Sequence, residues 1–171
     1  MNKIPKVLIV MGSDSDFPVV ERCINMLDEF SVMIDVHVCS AHRTPDSASK
    51  LAKNAESDGV DVIIAAAGKA AHLPGVLAAY TPIPVIGLPI KSTTMDGLDS
   101  LLSIVQMPAG IPVATVALDG AENAALLAVQ ILSVREIELR KKMIAYKTGL
   151  AKKIEAKDRA LQEQLNKKNR I

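Results

Sequence analysis

The segment Ser40-Ala41-His42-Arg43-Thr44-Pro45 sets an imidazole beside a guanidinium. Free imidazole titrates near ~6.5, so His42 can take and return a proton at neutral pH. The planar fork of Arg43 matches the oxygens of a phosphate. Pro45 reads as the first residue of a helix and Thr44 as its N-cap. A surface histidine next to an arginine is commonly solvated and idle. The end of a buried strand, where ligands of open sheets bind, favours a functional His42 over an idle one.

A second segment, Gly12-Ser13-Asp14-Ser15-Asp16, follows a short apolar run. Gly12 permits a tight turn, and serine and aspartate cap helices well. Free backbone N–H groups and a helix dipole there suit an anion. Ser13 can donate to phosphate oxygens. Asp16 repels phosphate and suits ribose hydroxyls instead. Plain capping and ligand binding are both open readings of this loop, which is neither a GxGxxG nor a Walker loop.

A third segment runs Ala67-Gly68-Lys69-Ala70-Ala71-His72-Leu73-Pro74-Gly75. Its small residues let the backbone approach a ligand closely and leave room for a small neutral molecule held by N–H groups. His72 is either a satisfied structural histidine or a second catalytic one. His37, inside an expected strand, reads as packing or surface. Two further loops are shaped for a site: Ser103–Pro112, with its prolines and Gly110, where Met107 is a pocket wall or core, and Asp119–Ala125, where Asn123 positions a ligand or caps a helix. No His-Glu-x-x-His pair, cysteine cluster or Gly-x-Ser-x-Gly elbow is present, so neither a metal nor a serine nucleophile is expected.

These loops need elements to hold them. Val7–Met11 is a continuous apolar run of the kind found in strands buried on both faces. The pattern predicts further strands at Val32–Cys39, Val60–Ala67, Val85–Leu88 and Val113–Leu118. Helices are predicted at Asp16–Glu29, Pro45–Asp58, near Ala70–Tyr80, at Gly97–Gln106 and from Ala121 onward. Five alternations of strand and helix imply a three-layer α/β fold: a flavodoxin-like parallel sheet with helices on both faces and right-handed crossovers. Ligands of such sheets bind beyond the carboxyl ends of the strands. From Lys141 the chain turns rich in Lys, Glu, Gln and Ala, with sparse apolar positions at Ile144, Leu150, Ile154 and Leu161. We therefore expect a flavodoxin-like catalytic domain over 1–140 and, over 141–171, a charged helical extension of the same domain that packs on another subunit or frays at its end.

Composition excludes several classes. Aromatic residues are 2% of the chain, too few for a stacking groove, and the net charge of +1 gives no field for nucleic acid or an anionic membrane. Cys23 and Cys39 alone suggest a reducing compartment, with Cys39 a small buried residue at a strand end. The opening Met-Asn-Lys-Ile-Pro-Lys runs straight into a strand without the pattern of a leader. No apolar run is long enough to span a bilayer. The expectation is a cytosolic chain.

Five ordered motifs carry a resemblance: Met11–Asp16, Ser40–Pro45, Ala70–Gly75, Asp99–Pro108 and Asn123–Ala128. Together they resemble the N5-carboxyaminoimidazole ribonucleotide mutase (PurE) family over Val7 to Leu139. The Ala-Ala-His-Leu-Pro-Gly loop is similar to the mutase type, whereas members that carboxylate aminoimidazole ribonucleotide directly carry a Ser-Asn-containing loop there. Two departures stand out. Lys69 occupies a position where mutases often have a second glycine, and the Asp119–Asn123 loop is shorter than in some members.

The resemblance implies an isomerase of de novo purine (IMP) biosynthesis. It would convert N5-carboxyaminoimidazole ribonucleotide to 4-carboxy-5-aminoimidazole ribonucleotide through decarboxylation and recapture of carbon dioxide. It implies His42 as the catalytic proton shuttle. The substrate-binding residues would be Ser13, Asp16, Ser40, Arg43, Gly68, Ala70, Ala71, His72 and Leu73. It further implies a homo-octamer with no organic cofactor and no metal, sites built from more than one subunit, and a functional link to the synthetase that makes the carbamate. The competing readings are a carboxylase using carbon dioxide directly, a non-catalytic nucleotide-binding module, and a purely structural oligomer.

Overall fold

The structure is a computed structural model describing residues 4–168; residues 1–3 of the opening segment and 169–171 of the tail lie outside the described residues. The chain divides into two compact units, Met1–Leu132 and Ser133–Ile171.

The first unit holds β1 (Lys6–Met11), α1 (Phe17–Glu29), β2 (Met33–Val38), α2 (Pro45–Asn54), β3 (Val62–Gly68), α3 (Leu73–Ala78), β4 (Val85–Ile90), α4 (Leu98–Val105), β5 (Ala114–Thr115) and α5 (Ala121–Leu132). All strand pairs are parallel, in the order β2-β1-β3-β4-β5. That is the flavodoxin-like order, with its switch point between β1 and β3.

The central strands are apolar because both faces are covered. Leu8, Val10, Ile63, Ala65 and Ala67 join Ala48 and Ala52 of α2, Leu73 and Leu77 of α3 and Ile104 of α4 in one buried cluster. Side chains alternate across a strand, so Val7, Ile9, Val62 and Ile64, all without solvent exposure, face the other way. There α1 and α5 pack on each other, and α5 packs on β3 and β4. Buried area of this kind stabilises by roughly 25 cal/mol per Å².

Several boundaries differ from the pattern-based expectation. β4 continues through Pro89 to Ile90 because β5 pairs only as far as Gly87 and Thr115, so no ladder partner awaits the missing N–H of Pro89. β5 shrinks to two residues at the sheet edge. α3 starts at Leu73 and not near Ala70, because the N–H groups of Ala71 and His72 turn back to the carbonyls of Lys69 and Ala70, each at 2.8 Å. α2 ends at Asn54, four residues early. β2, with β1 as its one sheet neighbour, leaves Met33, Val36 and Val38 exposed.

The second unit is α6 (Ile137–Lys168), 32 residues or about 48 Å of helix. It begins four residues before the composition shift at Lys141, and the unit boundary falls after Leu132. Arg140 donates to the carbonyls of Ser133 and Val134 at 3.0 and 2.8 Å, fixing the chain that leads into the helix. Ile144, Leu150, Ile154, Leu161 and Leu165 are all exposed on it. Among the described residues no helix is long and apolar enough to cross a membrane.

Candidate active site

The carboxyl ends of β1, β2, β3 and β4 border a cleft of about 740 Å³. Each strand delivers one loop to it.

After β1, the N–H of Gly12 donates to Ala66 O at 3.0 Å, which ties the turn to β3. Ser13 caps a single 3₁₀ turn, Asp14–Asp16, its Oγ accepting from Ser15 N at 3.3 Å and Ser15 Oγ at 2.8 Å. Capping and cleft lining coexist, since Ser13 and Asp16 both border the cavity. Asp16 is only 7% exposed. Burial pushes its carboxyl above the ordinary value of 3.8, partly offset by hydrogen bonds from the Ser13 segment and Ser15.

After β2, Thr44 occupies the N-cap position of α2, but its hydroxyl makes no capping bond. It donates to Ser40 O at 2.9 Å and accepts from Ser40 N at 3.1 Å, closing the segment into a rigid loop. Ser40 Oγ accepts from Arg43 N at 3.3 Å. The Arg43 guanidinium reaches the end of β1 and donates to Gly12 O at 3.4 Å, which sets it beside the Ser13 loop.

After β3, the two tight turns that delay α3 swing His72 toward the neighbouring loop. His42 Nε2 and His72 Nδ1 lie 2.9 Å apart, rings edge-on with centroids at 5.0 Å. β2 and β3 flank β1, about 10 Å apart at ordinary strand spacing, so the two imidazoles meet above the end of β1.

Of the ten residues expected in the site, Ser13, Asp16, Ser40, His42, Arg43, Gly68, Ala70, His72 and Leu73 line the cleft. Ala71 does not. It is 1% exposed, its methyl lies in the core cluster, and its N–H is engaged by Lys69 O. The expectation that this loop offers a run of free N–H groups is corrected accordingly: those of Ala71 and His72 are used within it. Met107 and Asn123 also lie outside this cleft. Met107 borders a separate cavity beside Gly75 and α4. His37 is exposed on β2 with Nε2 3.2 Å from Asp35 Oδ1. Both cysteines are free and buried, and burial pushes the Cys23 thiol to about 12.

The loop after β4 brings residues that the pattern did not single out: Lys91, Ser92 and Thr93 line the cleft. Lys91 N donates to Asp119 Oδ1 at 2.8 Å and Lys91 Nζ pairs with Asp96 Oδ1 at 2.8 Å, a contact that raises the lysine's pKa. Buried Ser100 holds this loop by donating toward Ile90 O and Gly97 O, at 2.9 and 2.8 Å. The rule that ligands bind beyond every strand end points to this segment, but its lysine, serine and threonine form no motif that marks them. Among the described residues no three His, Cys, Asp or Glu side chains gather as a metal site requires.

The family model described as AIR carboxylase matches residues 6–153. The chain belongs to the AIR carboxylase family.

Its relatives differ in the activity that their names carry. A Pyrococcus horikoshii protein named N5-carboxyaminoimidazole ribonucleotide mutase is 55% identical over 159 residues, covering 93% of this chain and 90% of its own. A Candida glabrata protein named phosphoribosylaminoimidazole carboxylase is 55% identical over 139 residues, covering 81% of this chain but 24% of its own. Among solved structures, Treponema denticola PurE is similar with a TM-score of 0.84 and 32% identity, covering 90% of this chain and 96% of that one. The AIR carboxylase match spans the loops after all five strands, and with them every residue bordering the cleft.

Proposed function

We propose that this chain is an N5-carboxyaminoimidazole ribonucleotide mutase of purine biosynthesis, forming 4-carboxy-5-aminoimidazole ribonucleotide in its strand-end cleft. The observation that carries the reading is the placement of an imidazole, His42, beside a guanidinium and a serine-rich turn in one cavity. Near-full-length relatives that carry the mutase name support it.

In this mechanism Arg43 and the Ser13 turn hold the phosphate, and Asp16 accepts from ribose hydroxyls. His42 as imidazolium donates its proton to the exocyclic nitrogen while the bond from that nitrogen to the carboxyl carbon breaks, releasing carbon dioxide and aminoimidazole ribonucleotide. The electron-rich ring carbon attacks the trapped carbon dioxide and forms the new carbon–carbon bond. Neutral His42 then removes the proton from that ring carbon. The proton lent in the first step returns in the last, so one residue serves both and none is consumed. Holding carbon dioxide beside the ring makes its recapture unimolecular, an advantage of up to ~7–11 kcal/mol. Acid–base assistance contributes ~10²–10⁴-fold. The small residues Gly68 and Ala70 leave the space that carbon dioxide needs.

The active species in this reading is a cytoplasmic homo-octamer, supplied by the synthetase that makes the carbamate. Two exposed apolar stripes support self-association: Leu98, Leu102 and Val105 on α4, and Leu150, Ile154, Leu161 and Leu165 on α6. A second copy is the occupant that the helical spacing of both stripes suits.

The test is to mix the protein with N5-carboxyaminoimidazole ribonucleotide without added bicarbonate and to follow the 4-carboxy product by ultraviolet absorbance. Formation faster than without enzyme is the expected result. Product only from aminoimidazole ribonucleotide plus bicarbonate would establish the direct carboxylase named for the Candida glabrata relative.

A further inference from the structure

We propose that Lys69 is a substrate-binding residue of this chain whose ammonium holds the migrating carboxylate; the inference rests on the mutase reading above.

Lys69 lines the cleft, exposed, on the loop between β3 and α3. Its backbone stands at φ 55°, the left-handed region that a side chain with a Cβ adopts at a cost. A long cationic side chain held in that conformation at a ligand cavity is what a binding role would maintain. The turn it occupies also starts the fold-back that brings His72 to His42, since Lys69 O accepts from Ala71 N at 2.8 Å. Lys69 therefore sits on the histidine side of the cleft, where the carboxyl group must move.

The other cations of the cleft have tasks. Arg43 is beside the Ser13 loop, at the end assigned to phosphate. The Lys91 ammonium is paired with Asp96 at 2.8 Å. Lys69 has no acidic partner or hydrogen-bond acceptor for its ammonium among the described residues. A substrate with a phosphate at one end and a carboxylate at the other needs two separate positive poles. Lys69 supplies the second, beside the small residues Gly68 and Ala70 that admit the carboxyl group. Once the carboxylate has left as neutral carbon dioxide the attraction falls away, so Lys69 favours the two carboxylated species over the intermediate.

The experiment compares two ligands by titration calorimetry at fixed ionic strength: 4-carboxy-5-aminoimidazole ribonucleotide and aminoimidazole ribonucleotide, which lacks the carboxylate. Lys69→Gly is the informative variant, because glycine is the residue that φ 55° favours and the fold should not suffer. The variant is expected to bind the carboxylated ligand about three- to tenfold more weakly, between the effect of an exposed ion pair and that of a charge-assisted hydrogen bond. Its affinity for the uncarboxylated ligand should stay within about twofold of wild type, and Lys69→Arg should restore the preference. Equal losses for both ligands would assign Lys69 to the phosphate and overturn the proposal, as would no loss for either. Wild-type protein that binds neither nucleotide would sink the mutase reading and this inference with it. Wild-type binding of both with no discrimination lost in Lys69→Gly would sink this inference alone.

Discussion

His42 Nε2 and His72 Nδ1 share one hydrogen bond, 2.9 Å long, between loops 30 residues apart in sequence. One of the two nitrogens carries the proton and the other accepts it, so the contact couples the tautomer and the orientation of both rings. With His42 as donor through Nε2, His72 keeps its own proton on Nε2 and presents it elsewhere.

The pair separates two roles. His42→Asn should keep nucleotide affinity within a few-fold and lose roughly 10²–10⁴ in kcat, the usual share of acid–base catalysis. His72→Ala removes the partner that orients the ring, and about a tenfold loss in kcat with a displaced pH–rate profile is expected. Steady-state kinetics across pH checks both. A His42→Asn enzyme with undiminished turnover would eliminate the shuttle, and an unchanged profile in His72→Ala would make the contact incidental.

Arg43 donates to Gly12 O at 3.4 Å, a long bond that a phosphate on the Ser13 loop would compete with. Arg43→Lys replaces a bidentate fork with a point charge. KM is expected to rise about tenfold with kcat little changed, and more steeply with added salt. A substrate affinity equal to wild type would contradict the phosphate assignment.

The first strands and the first loops were readable from sequence for physical reasons. Val7–Met11 and the Val62–Ala67 stretch are apolar without alternation because helices cover both faces, and Pro45 and Ala121 open helices where expected. What was not readable is non-local. Nothing near His42 tells that His72 lies against it, because the meeting depends on β2 and β3 flanking β1. β4 runs two residues past the expected end at Leu88, and Pro89 is tolerated there because its neighbour ends at Thr115; Lys91, Ser92 and Thr93 beyond it carry no motif of their own. Ala71 looked like its neighbours in a loop of small residues, and only the turn geometry shows its methyl in the core. The break between Leu132 and Ile137 carries no proline or glycine and left no mark in the pattern.

Asp16 ties stability to pH with a defined sign. Burial raises its pKa above 3.8, so the folded chain holds that proton more tightly than the unfolded chain does. Its contribution is fully favourable below the unfolded value and is lost as pH rises through the folded one. Asp16→Asn removes this loss. The variant should melt above wild type at pH 7, with the gap closing toward pH 4, while its KM rises because the ribose loses its acceptor. Melting scans over that range decide it: a variant that melts lower at pH 7 would show the carboxylate to be a net stabiliser.

The central claim is that the carboxyl group leaves nitrogen and reaches carbon without escaping the cleft. The direct measurement is turnover of N5-carboxyaminoimidazole ribonucleotide labelled with carbon-13 in its carboxyl group, in the presence of excess unlabelled bicarbonate, with the product read by mass spectrometry. The account predicts product that retains the label. Product carrying unlabelled carboxyl from the pool would contradict it and make the chain a carboxylase that takes its carbon dioxide from solution.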